Sequence, residues 1–154
     1  MVDAIRSKAA RCEATNVVAV QAGFLSYAHG GDLVDAVYSR NALHHLPDLW
    51  KAIALRRMAD LLVGGGTLRL RDLVFSFDAV DTTAGIERWI DETASDSPTT
   101  GWTRAELEAH VRGEYSTFTW LLEPMLIQAG FEIVERCHAP IGAYADYTCM
   151  KINR

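Results

Sequence analysis

Two adjacent histidines, His44 and His45, stand in the stretch VYSRNALHHLPD, between an apolar run and the start of a helical pattern. Imidazoles titrate near neutral pH, so at such a junction they can bind metal, move a proton, or pack and cap the helix start. The metal reading is the weakest of the three. Neighbouring residues at a helix start point roughly 100° apart, and no third ligand follows at a zinc-like spacing. No metal site is expected. Other polar groups are spaced to share the same end of a sheet: Ser39, Arg40 and Asn41 close the first apolar run, and Asp72 closes a later one. An arginine at a strand end can hold a ligand carboxylate, but it equally serves as a solvated or salt-bridged surface group. No Ser-His-Asp or Cys-His constellation emerges, and the cysteines, Cys12, Cys137 and Cys149, are widely spaced with no CxxC pair. That argues against a disulfide framework and a thiolate zinc site, and fits a reducing cytoplasm.

The elements that must position these groups follow from local pattern. Ile5, Ala9 and Cys12 recur at near-helical spacing, and the β-branched run Val17 to Val20 then predicts a strand. Leu33 to Tyr38 predicts a second strand. Trp50, Ile53, Ala54, Met58, Leu61 and Leu62 repeat at three and four, which predicts a helix with Asp48 as its cap and Gly64 as its stop. Thr67 to Phe75 reads as the next strand, so strand, helix and strand form a right-handed parallel unit. Between Ser76 and Phe118 the composition shifts toward Asp, Thr, Ser and Trp, the mark of a cap inserted within a single domain spanning 1–154. Inside that cap, Thr103 and Glu106 form a capping box for a helix from Arg104 to about Arg112, ETASDSPTTG reads as loop, and Ile86 to Ile90 marks another helix. Near the end, WLLEPMLIQAG predicts a helix starting close to Trp120 because of Pro124, closed by Gly130; FEIVERCHA and AYADYTCMK predict two strands.

Composition narrows the partners. A chain of 154 residues with 49% hydrophobic content can build one real core. A net charge of -5 gives no basic field for nucleic acid. No stretch approaches the roughly 20 apolar residues of a membrane span, and no signal peptide opens the chain, so no membrane association is expected.

The run VDAVYSRNALHHLPDLWKAIALRRMADLLVGGGTLRLRD, followed later by MLIQAGFEIVE, resembles the class I S-adenosylmethionine-dependent methyltransferases of the small-molecule type, similar to methyltransferase types 11 and 12. The resemblance implies a Rossmann-like α/β fold, a mostly parallel sheet with an antiparallel last strand, and S-adenosyl-L-methionine as cofactor for methyl transfer to a small molecule. It places Ser39, Arg40, Asn41 and His44 along the cofactor, and Ala22, Gly23 and Phe24, in VQAGF, near its adenine. His45 becomes the candidate catalytic base. Asp72, His110, Glu114 and Tyr115 become candidate substrate contacts, although aromatic residues of the cap such as Trp89, Trp102 and Trp120 also serve simply as core.

Two departures are visible: Gly64 replaces a usual proline, and Gly23 replaces an acidic residue that binds the adenine amino group. A larger one concerns the first two family strands, the GxGxG turn and the carboxylate that grips the ribose, none of which has a counterpart here; the chain reads as the carboxyl-terminal two-thirds of such an enzyme. Gly64 to Gly66 cannot substitute, because they follow a helix and precede a strand. Hydrogen bonds to a charged group are worth roughly 1.5 to 3 kcal/mol each. Losing a pair costs on the order of a hundredfold in affinity or more, so weak or absent cofactor binding is expected. The alternative is a non-catalytic remnant or interaction module. Removing two strands also leaves a gap of about 10 Å or more between Val17 to Val20 and the next strand, an exposed edge suited to recruiting a second copy.

Overall fold

In the computed structural model, which describes residues 2–153, the chain divides into two units, Met1–Gly30 and Gly31–Arg154. The first carries α1 (Val2–Arg11), the helix expected from its spacing, with no buried residue. The strand expected at Val17 to Val20 does not form. Branched side chains favour a strand only where a neighbouring strand takes up the backbone bonds, and none does so here. Val18 is 85% exposed, and the Ala19 carbonyl accepts instead from the Arg6 guanidinium at 3.2 Å. Beyond it, the Ser26 and Tyr27 N–H groups donate to the Gly23 carbonyl at 3.1 and 2.9 Å, making a turn rather than a strand end.

The second unit follows the expected order more closely. β1 (Val34–Arg40), α2 (Asp48–Leu61) and β2 (Leu62–Asp72) form the parallel unit, with Ala36 opposite Thr67 and Arg40 opposite Arg71. After α5 (Thr119–Gln128), β5 (Phe131–His138) and β6 (Ala145–Lys151) complete a four-stranded sheet of order β1-β2-β6-β5. β6 runs antiparallel to both neighbours. Gly130, at φ 100, reverses the chain between α5 and β5, as its position after the helix suggests.

Alternation decides which face of the sheet is buried. Leu68 and Leu70 of β2 and Tyr147 and Cys149 of β6 share the buried face with Leu55 and Met58 of α2 and Leu122 and Leu126 of α5. Burial, with Glu123 nearby, pushes the Cys149 thiol up to about 12, so it behaves as an inert apolar group. The opposite face is polar: Arg69 and Arg71 pair with Asp146 at 3.5 and 3.8 Å.

Three local expectations are corrected. Gly64 does not stop α2; the helix ends when Leu62 turns extended at φ -82, ψ 146, and Gly64, Gly65 and Gly66 lie inside β2. Asp48 makes no cap bond at the start of α2, because its carboxylate is engaged by Lys51 and Thr117. The segment Thr67 to Phe75 is not one strand. Its end separates at Leu73 into β3 (Val74–Phe75), which pairs in parallel with β4 (Thr117–Phe118) in a second, two-stranded sheet.

β3 and β4 bracket the cap, whose helices are α3 (Thr82–Thr93) and α4 (Arg104–Gly113). The Thr103–Glu106 capping box forms as expected, with Glu106 accepting from the Thr103 N–H at 2.8 Å. Leu73, Phe75, Trp89, Ile90, Leu107 and Ala143 make a core beneath these helices. No helix among the described residues is long and apolar enough to cross a membrane.

Gly85 tests how tightly that core is closed. A Cβ there would lie 2.7 Å from the Phe77 ring, which is packed against Phe75 and Phe118 at centroid distances of 5.1 and 6.0 Å. Gly to Ala inside a helix ordinarily gains about 1 kcal/mol, but overpacking costs about 1–3 kcal/mol. Gly85→Ala is therefore expected to destabilise by about 1 kcal/mol, read from the urea midpoint; a stabilised variant would show that the Phe77 ring moves freely.

Candidate functional site

β1 and β2 are parallel neighbours, so their carboxyl ends lie side by side, the place where open α/β sheets bind ligands. The Asn41 N–H extends the ladder by donating to the Arg71 carbonyl at 2.9 Å. Asn41 then takes a left-handed conformation, φ 49, which its short polar side chain tolerates better than most. The chain bends there into a 3-10 turn, Leu43–His45, whose first donors need acceptors.

Asp72, at the end of β2 and buried, supplies them. One of its oxygens accepts from the Ala42 and Leu43 N–H groups at 3.2 and 2.6 Å. The other accepts from the Leu73 N–H at 2.8 Å and is hydrogen-bonded to His44 Nδ1. Burial alone would raise the Asp72 pKa, but the His44 hydrogen bond and charge, with the Leu43 and Leu73 N–H groups, hold the carboxyl below its ordinary value. Asp72 thus fixes both the turn and the ring of His44.

His45 has a different carboxylate. Its Nδ1 lies 2.7 Å from Glu114 Oε2, contributed from the residue that follows α4. The bond to His45 pulls the Glu114 carboxyl below its ordinary range. The cap is tied down around this pair. The Tyr115 N–H donates to the His44 carbonyl at 2.8 Å, and the Tyr115 carbonyl accepts from Lys51 Nζ. Lys51 is buried and also donates to Asp48 at 2.7 Å, which meets the requirement that a buried charge be paired. Sequence reading missed Lys51; the signal was the Asp48–Lys51 spacing on the first turn of α2.

A third imidazole completes the wall. The rings of His44 and His45 are 4.2 Å apart between centroids, and those of His44 and His110 are 5.3 Å apart. His110 Nε2 meets Ser116 Oγ at 3.0 Å. Burial, and then the neighbouring His44, lower the His110 pKa against the opposing pull of Glu114, so its neutral form is favoured.

The end of the sheet therefore gathers Ser39, Asn41, His44, His45, Asp72, His110, Glu114 and the Tyr115 backbone, residues that sequence reading had assigned to separate tasks. Ser39 Oγ is buried and has no partner among the described residues, the kind of group a ligand satisfies. Arg40 and the Tyr115 side chain are exposed. Ala22, Gly23 and Phe24 belong to the first unit, where Ala22 and Gly23 line a shallow open depression with Val2, Asp3 and Gln21. Trp89 is core and Trp102 is exposed, whereas Trp120 lies in α5, outside the cap, and stacks on Phe118 at 4.9 Å.

Chemically, His45 is an exposed imidazole with a carboxylate on one ring nitrogen, which leaves the other to accept a proton. His44, buried, has its Nδ1 engaged by Asp72.

No family model matches the sequence, and no curated protein matches it. Solved structures do. The [4+2]-cyclase SpnF aligns over 99% of this chain and 63% of its own at TM-score 0.68 and 15% identity. The CcbJ methyltransferase from Streptomyces caelestis aligns over 99% of this chain and 71% of its own, with a TM-score of 0.66 and 18% identity. The N-methyltransferase NodS from Bradyrhizobium japonicum WM9, solved with S-adenosyl-l-homocysteine, aligns over 99% of this chain and 64% of its own, at TM-score 0.59 and 16% identity. The chain thus spans about 63% of the length of SpnF. At such identity the likeness establishes the fold: a Rossmann-like α/β fold of the kind found in S-adenosylmethionine-dependent methyltransferases.

Proposed function

We propose that this chain forms the carboxyl-terminal part of an S-adenosylmethionine-dependent methyltransferase acting on a small molecule. One observation carries the reading: a sheet of order β1-β2-β6-β5 with antiparallel β6 sets His44, His45 and Asp72 at the carboxyl ends of its two parallel strands. The methyltransferases CcbJ and NodS have the same fold. In this reading Ser39, Arg40, Asn41 and His44 line the cofactor, and His110, Glu114 and Tyr115 form the cap wall facing the substrate. His45, oriented by Glu114, takes a proton if the substrate nucleophile carries one. Positioning and exclusion of water supply much of the remaining rate.

A second reading is a methyltransferase-like module without catalysis, and two observations favour it. Val17 to Val20 form no strand, and β1 ends the sheet with Tyr38 64% exposed. An open edge of this kind would pair with a second copy.

Calorimetry with S-adenosyl-l-homocysteine separates the two. The 154-residue chain is expected to bind more weakly, by on the order of a hundredfold, than the same chain extended at its amino end by a strand, a GxGxG turn and a terminal acid. If the extended chain does not bind, methyl transfer is the wrong reading; if the 154-residue chain binds at micromolar concentration, the expectation of weak cofactor binding is.

A further inference from the structure

We infer that His44, His45 and Glu114 form a divalent transition-metal site, of the class that takes Zn(II). One ring nitrogen from each histidine and a carboxylate oxygen of Glu114 all lie within 4.8 Å of one another. Sequence spacing argued against this, because it weighed only neighbours; the third ligand arrives from 69 residues away. The angular objection also lapses, since the two rings sit 4.2 Å apart on the 3-10 turn.

The surroundings are those of a metal site. Histidine ligands almost always give their second ring nitrogen to a carboxylate or carbonyl, which fixes the tautomer and raises the basicity of the ligating nitrogen. Asp72 does this for His44: it holds Nδ1, so that Nε2 would be the ligating nitrogen. Two nitrogens and one oxygen suit Zn(II) or Co(II) better than calcium or magnesium, which prefer all-oxygen sets. Three protein ligands leave a fourth position for water or a ligand atom.

Distances set what must move. Tetrahedral zinc with bonds of about 2.1 Å separates its ligand atoms by about 3.4 Å, so a pair at the 4.8 Å limit closes by little more than an ångström, while the His45 Nδ1–Glu114 hydrogen bond at 2.7 Å opens where Nδ1 is the ligand. His44 is buried, with its side chain 10% exposed and its ring hydrogen-bonded to Asp72, whereas the His45 and Glu114 side chains are 56% and 33% exposed and have room to rotate inward. His110 stays outside the set, with Nε2 on Ser116.

The inference concerns the 154-residue chain itself and does not rest on methyl transfer. Zn(II) titration by calorimetry, and Co(II) titration followed by visible absorption, are expected to show one equivalent bound at micromolar concentration or tighter. His45→Ala and Glu114→Gln, both at accessible positions, should each weaken binding at least about tenfold while circular dichroism stays unchanged. His138→Ala and Cys137→Ser, elsewhere on the surface, should leave it intact. No saturable binding below about 1 mM, or an affinity unchanged in either ligand variant, overturns the assignment.

Discussion

Asp72→Ala is expected to lower stability by about 3–5 kcal/mol, the range found when one partner of a buried polar pair is removed. Four donors converge on this carboxylate: the Ala42, Leu43 and Leu73 N–H groups and His44. Removing it leaves them with no acceptor in a site that is 1% exposed at Asp72, and each stranded buried donor costs about 1–3 kcal/mol. Relief of the carboxylate's own desolvation offsets part of this. Against a typical total of about 5–15 kcal/mol, the loss is severe. Urea denaturation measures it, and a change below about 1 kcal/mol would mean that water replaces the carboxylate without cost.

The same residue makes a signed pH prediction. Its folded-state pKa is depressed, despite burial, by His44 and the backbone donors. Its contribution is therefore complete above the unfolded value of about 3.9 and is lost as the pH falls through the lower folded value. Asp72→Asn, which keeps one acceptor oxygen, should be less stable than the native chain at neutral pH and flatter on the acid side. Parallel acid limbs for the two proteins would refute the assignment of the shift to Asp72.

Trp89→Ala is expected to cost about 3–5 kcal/mol, as large aromatic truncations in cores do. Trp89 is 1% exposed and sits edge-on to Phe75 at 5.6 Å, in the core that joins α3 and α4 to the end of the sheet. Its indole N–H has no partner among the described residues, so no hydrogen bond is sacrificed when the ring is replaced. Trp89→Phe should accordingly cost less than half as much as Trp89→Ala. Thermal or urea unfolding decides it. If the alanine variant loses under about 1 kcal/mol, the cap core is too loose to hold Glu114 against His45.

Most element boundaries were legible because their causes are local. The Thr103 capping box, the three-and-four repeat of α2 and the glycine after α5 each involve residues within one or two turns of one another. The errors fell where a distant partner decides. A strand is completed by its neighbour, so Val17 to Val20 had the right side chains and no ladder to join. Asp48 had the right type for a cap, but the Thr117 hydroxyl, 69 residues on, and the Lys51 ammonium, buried beneath the Tyr115 carbonyl, took its carboxylate.

The candidate site divides along the same line. The sequence by itself determined that His44, His45 and Asp72 stand at strand ends and that Glu114 follows a helix in an inserted cap, because period and composition are written in adjacent residues. Only the tertiary structure decided which carboxylate each histidine meets. Asp72 reaches His44 because β1 and β2 are in parallel register, and Glu114 reaches His45 because the cap backbone is tied to His44 and Lys51. Contacts across 28 and 69 residues depend on how the chain packs, and no local pattern records that.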